Sequence, residues 1–200
     1  CSHSARIEWL MSGSIDAYQD AFDASSSWGD LQGARFEACT FKNVSWAGRD
    51  LRQARFEDCT FEDCDWSNAR VLGVSFQGVL MRGCKLVGVR FEMCNALGLD
   101  LRLESCNCES ASFLGMDLRG VQWKGGKAHQ VDFSDANAQG VCFDEVALND
   151  AVFDRTNLSE ADFRTATGWR IDPTRNQLSS ARFDAEALTG LLEQWKLRYD

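Results

Sequence analysis

The sequence predicts an all-β solenoid, a quadrilateral β-helix of about seven coils that ends in a short C-terminal α-helix. Three observations predict this fold class. Large apolar residues recur at every fifth position, small residues precede almost all of them by two positions, and aromatic residues recur 20 positions apart. With 200 residues, of which 44% are hydrophobic, the chain is long and apolar enough for one continuous core.

The five-residue period runs along most of the chain. The central series starts at Leu31 and reaches Ala96, and after a shift of two residues near 99–105 it resumes at Leu103 and continues to Phe163. All 27 central positions are apolar. An amphipathic helix repeats at 3.6 residues and a half-buried strand at 2, so neither explains this pattern. A chain that turns a corner after every pentad does explain it, because four pentads then close a square coil of about 20 residues.

Residues 20 apart are therefore expected to stack in adjacent coils. Trp46 precedes Trp66 by this spacing, and Phe113, Phe133 and Phe153 form another such series. The backbones of stacked coils are expected about 4.8 Å apart, the spacing of hydrogen-bonded strands. Glycine recurs two residues after many central positions, where a corner requires a positive φ.

The position two residues before each centre is the second inward position. It holds mostly Ala, Cys, Val or Gly, and six cysteines occupy it: Cys39, Cys59, Cys64, Cys84, Cys94 and Cys106. We interpret these thiols as small buried hydrophobes, and neither they nor Cys108 form a zinc motif. Cys142 points outward in this pattern. Arg49 is the charged exception, and we expect it to pair with Asp50 or Asp30 or to mark a local bulge.

The repeat divides the chain into three segments. Residues 1–28 are expected to form an N-terminal leader and cap, 29–168 the β-helix, and 169–200 a C-terminal cap with a dimerisation helix. The helix is predicted from Asp184, a suitable N-cap, to Trp195. Its apolar stripe, together with the preceding phenylalanine, forms the expected dimer interface: Phe183, Leu188, Leu191, Leu192 and Trp195. The same stripe can instead cap the last coil, because a solenoid needs its open end covered.

Composition and motifs exclude several classes of function. The net charge of −9 disfavours direct nucleic-acid binding and favours a basic partner. The apolar stretches are too short for a transmembrane helix, and the first ten residues lack the features of a signal peptide, so we expect a cytoplasmic protein with reduced thiols. His129 has no nucleophile beside it, and no nucleotide-binding, hydrolase or metalloprotease motif occurs. We therefore expect no enzyme, no cofactor and no metal.

Acidic residues concentrate near the C-terminal end of the repeats. From Val131 to Thr165 the chain has eight acidic and two basic residues, a net charge of −6. All eight acids lie at outward positions of the pentads: Asp132, Asp135, Asp144, Glu145, Asp150, Asp154, Glu160 and Asp162. We interpret this surface as a mimic of duplex DNA, whose backbone carries about one negative charge per 1.7 Å. The alternative is an acidic protein with ordinary solvated faces.

The repeats resemble the pentapeptide-repeat family, whose pattern is summarised as A(D/N)Lxx. Close copies of that pattern are Ala34-Arg-Phe-Glu-Ala, Ala54-Arg-Phe-Glu-Asp, Thr156-Asn-Leu-Ser-Glu and Ala161-Asp-Phe-Arg-Thr. The resemblance extends from Gly29 to Arg170. It implies a right-handed quadrilateral β-helix without catalytic activity.

The C-terminal tail resembles one branch of that family. Gly168-Trp-Arg-Ile-Asp-Pro173 is followed by Ala181-Arg-Phe183 and the predicted helix, as in the topoisomerase-protecting Qnr, MfpA, AlbG and McbG proteins. The resemblance implies a homodimer that mimics DNA, binds DNA gyrase or a related type II topoisomerase, and protects it from an antibiotic or toxin in resistance or self-immunity. The chain lacks the long loops of plasmid-type Qnr proteins, so the MfpA or AlbG type is closer. The alternative function is a structural protein-interaction rod with no topoisomerase role.

Overall fold

A computed structural model describes residues 15–192 of the chain. Its strands are short, because each pentad contributes only one side of a square before the chain turns. They are β1 Asp16–Tyr18, β2 Ala21–Phe22, β3 Arg35–Glu37, β4 Thr40–Lys42, β5 Arg55–Glu57, β6 Thr60–Glu62, β7 Ser75–Gln77, β8 Val79–Arg82, β9 Leu101–Glu104, β10 Val121–Lys124 and β11 Phe143–Asp144. Two 3-10 helices lie in the same range, Phe91–Met93 and Ala185–Leu191.

The chain winds into a solenoid with four faces, which we call A to D in chain order. Face A contains the pentad centred on Leu31 and those stacked on it, and faces B, C and D begin with Phe36, Phe41 and Trp46. Strands β1, β3, β5 and β7 stack on face B, and the seven strands β2, β4, β6, β8, β9, β10 and β11 stack on face C over about six turns. All pairs are parallel, which confirms the predicted all-β solenoid.

Faces A and D have no named strands and are joined by isolated parallel bridges. We number the coils 1 to 7 by the central residue of their face-A pentad: Leu31, Leu51, Val71, Phe91, Phe113, Phe133 and Phe153. On face A, Ser112 bridges Arg90 on one side and Asp132 on the other. Backbone N–H groups of each coil donate to carbonyls of the next, so the polar backbone is satisfied along the axis.

The core is a set of aromatic columns parallel to the axis. Phe36 stacks on Phe56 with ring centroids 5.3 Å apart, and Phe41 stacks on Phe61 at 4.6 Å. Phe113, Phe133 and Phe153 form a similar column in the second half. Such pairs contribute about 0.5–1.5 kcal/mol each beyond the burial of their area. The predicted stacking of residues 20 apart is therefore confirmed for these rings.

The repeat is interrupted once on face B, between coils 3 and 5. Asn95 N–H still donates to the Val74 carbonyl in the normal register, but the next such bond comes from Asp100, to Phe76. For one turn, from the pairing of Val79 with Leu101 to that of Arg90 with Ser112, the register between coils is 22 residues, and it returns to 20 where Leu101 pairs with Val121. The expectation that Ala96 points inward is wrong: Ala96 is exposed, because the two extra residues lift the chain off the core here.

The N-terminal end is closed by Trp28. Its ring lies 5.0 Å from those of Phe22 and Trp46 and covers the aromatic columns. Arg49 holds this cap, since its Nη1 donates to the carbonyls of Trp28 (3.3 Å) and Gly29 (3.2 Å). The expected pairing of Arg49 with Asp50 or Asp30 is therefore wrong. Its side chain is exposed and satisfies backbone carbonyls of the preceding coil instead.

The C-terminal end is closed by Trp169, whose ring lies 4.8 Å from that of Phe183. The 3-10 helix Ala185–Leu191 lies across this ring, and the Gly190 carbonyl accepts a hydrogen bond from Ile171 N–H. A β-carbon at Gly190 would lie 2.7 Å from Trp169 Cζ3, so this close approach requires glycine. The predicted α-helix is wrong within the described range, because Ala185–Leu191 forms a 3-10 helix in which Leu191 packs against the core and Leu188 is exposed.

Candidate protein-interaction surface

The eight acidic residues singled out in the sequence lie together in coils 6 and 7, but on all sides of the solenoid. Asp132 and Asp154 are on face A and Asp144 and Asp162 on face C, whereas Asp135, Glu160, Glu145 and Asp150 are at the corners that follow faces A, B, C and D. The structure therefore does not form one acidic face. We call this ring of eight residues the acidic collar.

Half of the collar is paired with arginine. Asp135 accepts bonds of 2.7 Å from both Nε and Nη2 of Arg155, and Asp154 contacts Arg155 and Arg175. These bonds hold the pKa of Asp135 below its usual range, since the charged carboxylate is the better acceptor.

Two further collar residues, Asp162 and Asp150, also pair with arginines. Asp162 accepts a bond of 2.6 Å from Nη2 of Arg164, which lowers the pKa of that carboxyl. Asp150 lies 3.7 Å from Nη1 of Arg170. These ion pairs make the electrostatic potential of the collar less negative than the number of its acidic residues suggests.

The other half of the collar has no ion pair among residues 15–192: Asp132, Asp144, Glu145 and Glu160. Asp132 accepts the backbone N–H of Ser134, and Asp144 accepts the hydroxyl of Thr165 at 3.1 Å. Glu160 accepts Nε2 of Gln139 at 3.1 Å. Since no cation contacts them in this range, these four carboxylates present the strongest negative charge of the collar.

An alternating column of charges on face C was missed in the sequence. Lys42 Nζ lies 3.4 Å from a Glu62 carboxylate oxygen, Arg82 bridges the other oxygen of Glu62 at 3.5 Å, and Arg82 Nε donates to Glu104 at 2.9 Å. We call the column the charge ladder. Its members occupy the position after each face-C centre: Lys42, Glu62, Arg82, Glu104, Lys124, Asp144, Arg164 and Asp184.

The ladder changes the character of the collar on face C. Asp144 lies opposite Lys124 in the backbone register of β10 and β11, without a direct ion pair, and Arg164 follows it in the column. Face C is therefore a mixed surface, although coils 6 and 7 are acidic as a whole. Reading the sequence at a spacing of 20, with 22 at the interruption, would have revealed this ladder.

The residues expected at the dimer interface divide into two groups. Phe183 stacks on Phe163 at 5.3 Å, and Leu191 packs against the core, so both cap their own chain. Leu188 and Leu192 are exposed and remain available for a partner. Trp195 lies outside the described residues.

The cysteines of the described range are all free thiols. Those at the second inward position are structural, since Cys64 Sγ donates to the Phe41 carbonyl and its pKa is raised by the adjacent Cys84 thiol and by burial. Cys142 is exposed, and partial burial together with Asp162 and Asp144 raises its pKa. Within residues 15–192 no cluster of His, Cys, Asp or Glu is arranged to hold a metal ion, and no helix is long and apolar enough to cross a membrane.

Two family models match the repeats seen in the structure. The model described as "Pentapeptide repeat region" matches residues 54–133, and the model described as "Pentapeptide repeats (8 copies)" matches residues 30–65 and 130–167. The chain belongs to the pentapeptide-repeat family. Together the matches cover the solenoid from coil 1 to coil 7, across the interruption on face B.

Solved structures of other pentapeptide-repeat proteins share this fold. The plasmid-mediated fluoroquinolone resistance protein QnrB1, in a trypsin-treated form, has a TM-score of 0.54 at 16% identity, covering 92% of this chain and 99% of that one. HetL, involved in heterocyst differentiation regulation in the cyanobacterium Nostoc sp. strain PCC 7120, has a TM-score of 0.60 at 17% identity, covering 85% of this chain and 84% of HetL. No curated protein matches the sequence. These likenesses establish the fold alone.

Proposed function

We propose that this pentapeptide-repeat protein binds the DNA-binding surface of DNA gyrase or a related type II topoisomerase and protects the enzyme from a poison. The observation that carries the proposal is the acidic collar, which concentrates eight carboxylates in two adjacent coils. A positively charged channel that encloses duplex DNA contacts more than one side of its ligand. A ring of carboxylates fits such a channel better than a single acidic face does.

The C-terminal end supports a dimer that brings two collars together. Leu188 and Leu192 are exposed beside the last coil, and the collar lies only about two coils from that end, roughly 10 Å. Two copies joined there carry a net charge of −12 over their adjoining collars, twice the −6 of residues 131–165. The resemblance of the tail to the topoisomerase-protecting branch supports the same arrangement.

Neutralisation of the unpaired carboxylates tests the proposal. The variant Asp132→Asn, Asp144→Asn, Glu145→Gln, Glu160→Gln removes four charges, while the amide oxygens still accept the bonds from Ser134, Thr165 and Gln139. We expect it to bind gyrase about tenfold or more weakly and to lose protection in a supercoiling assay with a poison. Its melting temperature should stay near that of the parent chain.

A matched control removes four charges from coils 1 and 2. Glu37→Gln, Glu57→Gln, Asp58→Asn and Asp63→Asn change the net charge by the same amount outside the collar. Loss of gyrase binding in both variants would indicate an effect of net charge alone. Unchanged binding of the collar variant would refute the role of the collar.

A second candidate function is a protein-interaction rod with no topoisomerase role. HetL, which shares this fold, is involved in heterocyst differentiation regulation, and that role supports a function of such a rod outside topoisomerase protection. The supercoiling assay separates the two candidates. A protein that neither inhibits gyrase nor rescues it from any poison would favour the interaction rod.

A further inference from the structure

Face A is the most apolar outer surface of the described solenoid. Eight large apolar side chains are exposed among residues 15–192, and half of them lie on this face or at its edge: Leu72 (54%), Met93 (36%), Leu114 (41%) and Val152 (47%). Leu72 and Leu114 stand in one column with Glu92 between them. Glu92 does not add an exposed charge to this column, because its side chain is only 11% exposed and its carboxylate accepts a hydrogen bond of 2.8 Å from Nε of Arg90. Exposed apolar side chains that share one face indicate a protein contact.

Face A carries charges of both signs in its two halves. Arg52, Arg70 and Arg90 lie in coils 2 to 4 together with Asp50 and Glu92, and Asp132 and Asp154 lie in coils 6 and 7 with Arg155 at the adjoining corner. Arg70 is 72% exposed, and its contact with Asp50 is long, at 4.0 Å. Asp132 has no ion pair within the described range. The N-terminal half of the face thus presents a weakly paired positive charge, Arg70, and the C-terminal half presents an unpaired negative charge, Asp132.

We propose that face A is an interaction surface for a second copy of this chain, packed side by side and antiparallel. A two-fold axis between coils 4 and 5 places coil 3 of one copy opposite coil 6 of the other. Arg70 then faces Asp132 of the second copy, and Arg52 in coil 2 faces Asp154 in coil 7. In the same register Leu72 faces Ser134, Leu114 faces Glu92 and Val152 faces Asp50. Each of these contacts occurs twice across the two-fold axis, as in any isologous interface.

The charge pattern also disfavours one of the two neighbouring registers. An axis on coil 4 would place Arg90 opposite itself and Asp50 opposite Asp132, both like-charge contacts. With the axis between coils 4 and 5, Arg90 faces Ser112 and Asp50 faces Val152. Like charges across an interface weaken it, so the register with the axis on coil 4 is disfavoured. An axis on coil 5 would place Arg90 opposite Asp132 and Arg70 opposite Val152, so replacement of Arg70 distinguishes that register from the proposed one.

This contact differs from the end-to-end dimer of the proposed function. It covers Asp132, Asp135 and Asp154 of the collar and leaves Asp144, Glu145 and Glu160 exposed. Association through face A and binding of a partner to the same side of the collar therefore exclude each other.

A charge-swap series measured by sedimentation equilibrium tests the lateral contact. Arg70→Asp and Asp132→Arg each create two like-charge pairs across the two-fold axis, and we expect each to weaken the association at least about tenfold. The double variant restores opposite charges, so it should associate like the parent chain. Within one chain these residues are three coils apart, about 14 Å, which exceeds the screening length at physiological salt, so an internal contact does not explain a rescue. Single variants that associate normally, or a double variant that stays weak, would overturn the proposal.

The end-to-end contact is removed separately in the full chain. Leu188→Glu with Leu192→Glu breaks a dimer through the C-terminal end, and we expect this variant to remain dimeric through face A. A monomer would refute the lateral contact whatever the fate of the gyrase proposal. In that background Leu72→Ser should produce monomers, whereas Leu97→Ser, an exposed leucine on face B, should not. Equal effects of the two serine variants would also refute it.

Discussion

At the scale of single residues, the second inward position carries a hydrogen bond as well as a small volume. Cys59 Sγ donates to the Phe36 carbonyl, Thr156 Oγ1 to the Phe133 carbonyl and Asn176 Nδ2 to the Phe153 carbonyl. In each case the acceptor lies 23 residues earlier. A thiol, a hydroxyl and an amide thus perform the same task. This explains why a threonine and an asparagine occupy a position that is otherwise mostly apolar.

Replacement of Thr156 tests this role. Thr156→Val keeps the shape but removes the hydroxyl that lies 2.9 Å from the Phe133 carbonyl, and we expect a loss of about 1 kcal/mol in the free energy of unfolding. Thr156→Cys retains a donor and should lose less. Urea denaturation measures both, and equal losses would show that the hydrogen bond is unimportant.

Whether a corner glycine can be replaced depends on the neighbouring coil as well as on the glycine's own φ. Gly83 has a φ of 64°, and a β-carbon there would lie 2.4 Å from Oδ1 of Asp63. Gly48 has a φ of 66°, and nothing lies within 4 Å of a β-carbon. Gly48→Ala should therefore cost only the left-handed strain, about 1–2 kcal/mol.

Gly83→Ala should cost measurably more than Gly48→Ala, because the Asp63 side chain must also move. The difference is read from urea midpoints of the two variants. Adding Asp63→Gly to Gly83→Ala should remove the excess but leave the strain. An excess that persists in the double variant would contradict the proposed contact.

At the scale of elements, the charge ladder couples the strands of face C. Arg82→Glu places three like charges in succession, from Glu62 to Glu104, and we expect a lower melting temperature, with a difference from the parent chain that shrinks at high salt. Arg102→Glu is the matched control, because Arg102 lies on the same face but outside the ladder. Thermal melts at low and high salt measure both. Equal effects would mean that the alternation does not contribute.

Three pentads have an Asp directly before the centre and an Arg directly after it, and these pairs make stability depend on pH. The guanidinium groups of Arg52, Arg119 and Arg164 hold the pKa values of Asp50, Asp117 and Asp162 below the usual range. A carboxyl with a depressed folded pKa stabilises the fold above its ordinary value of about 3.9, and this stability is lost as the pH falls through the folded value.

We therefore expect the urea midpoint to fall as the pH decreases from about 5 to about 2. Asp162→Asn should flatten this dependence. Asp30→Asn serves as the control, because Gln32 stands where the other pentads have arginine. A pH dependence identical in both variants would contradict the assignment to the ion pair.

At the scale of the whole molecule, two tryptophans close the two ends. Trp169→Ala removes the ring on which Phe183 and the 3-10 helix pack, so we expect a loss of about 3–5 kcal/mol and faster hydrogen exchange first in coil 7. Trp28→Ala should instead increase exchange first in coil 1. Because each coil contacts only its neighbours, the two effects should start at opposite ends. Uniform loss of protection in either variant would contradict end-first fraying.

The buried core and the four-sided coil were predictable because both follow from the regular spacing of apolar and aromatic residues along the chain. Apolar residues five apart must all face inward, and rings 20 apart must stack, whatever the side chains outside do. The predictions that failed lie where spacing is broken. Ala96 lies at the interruption of the repeat, and Arg49 contacts the N-terminal cap. The C-terminal segment forms a 3-10 helix that packs against the ring of Trp169.

The amino-acid sequence alone therefore specified the solenoid, its buried aromatic rings and the concentration of acidic residues in coils 6 and 7. Only the folded structure decided which outward residues share a face, because that depends on which quarter of a coil each pentad occupies and on the two-residue shift. It distributed eight acids over all sides, built an alternating ladder on face C, and gathered exposed leucines from separate coils on face A. Inward positions are set by local periodicity, whereas outward neighbours are set by the stacking of distant segments.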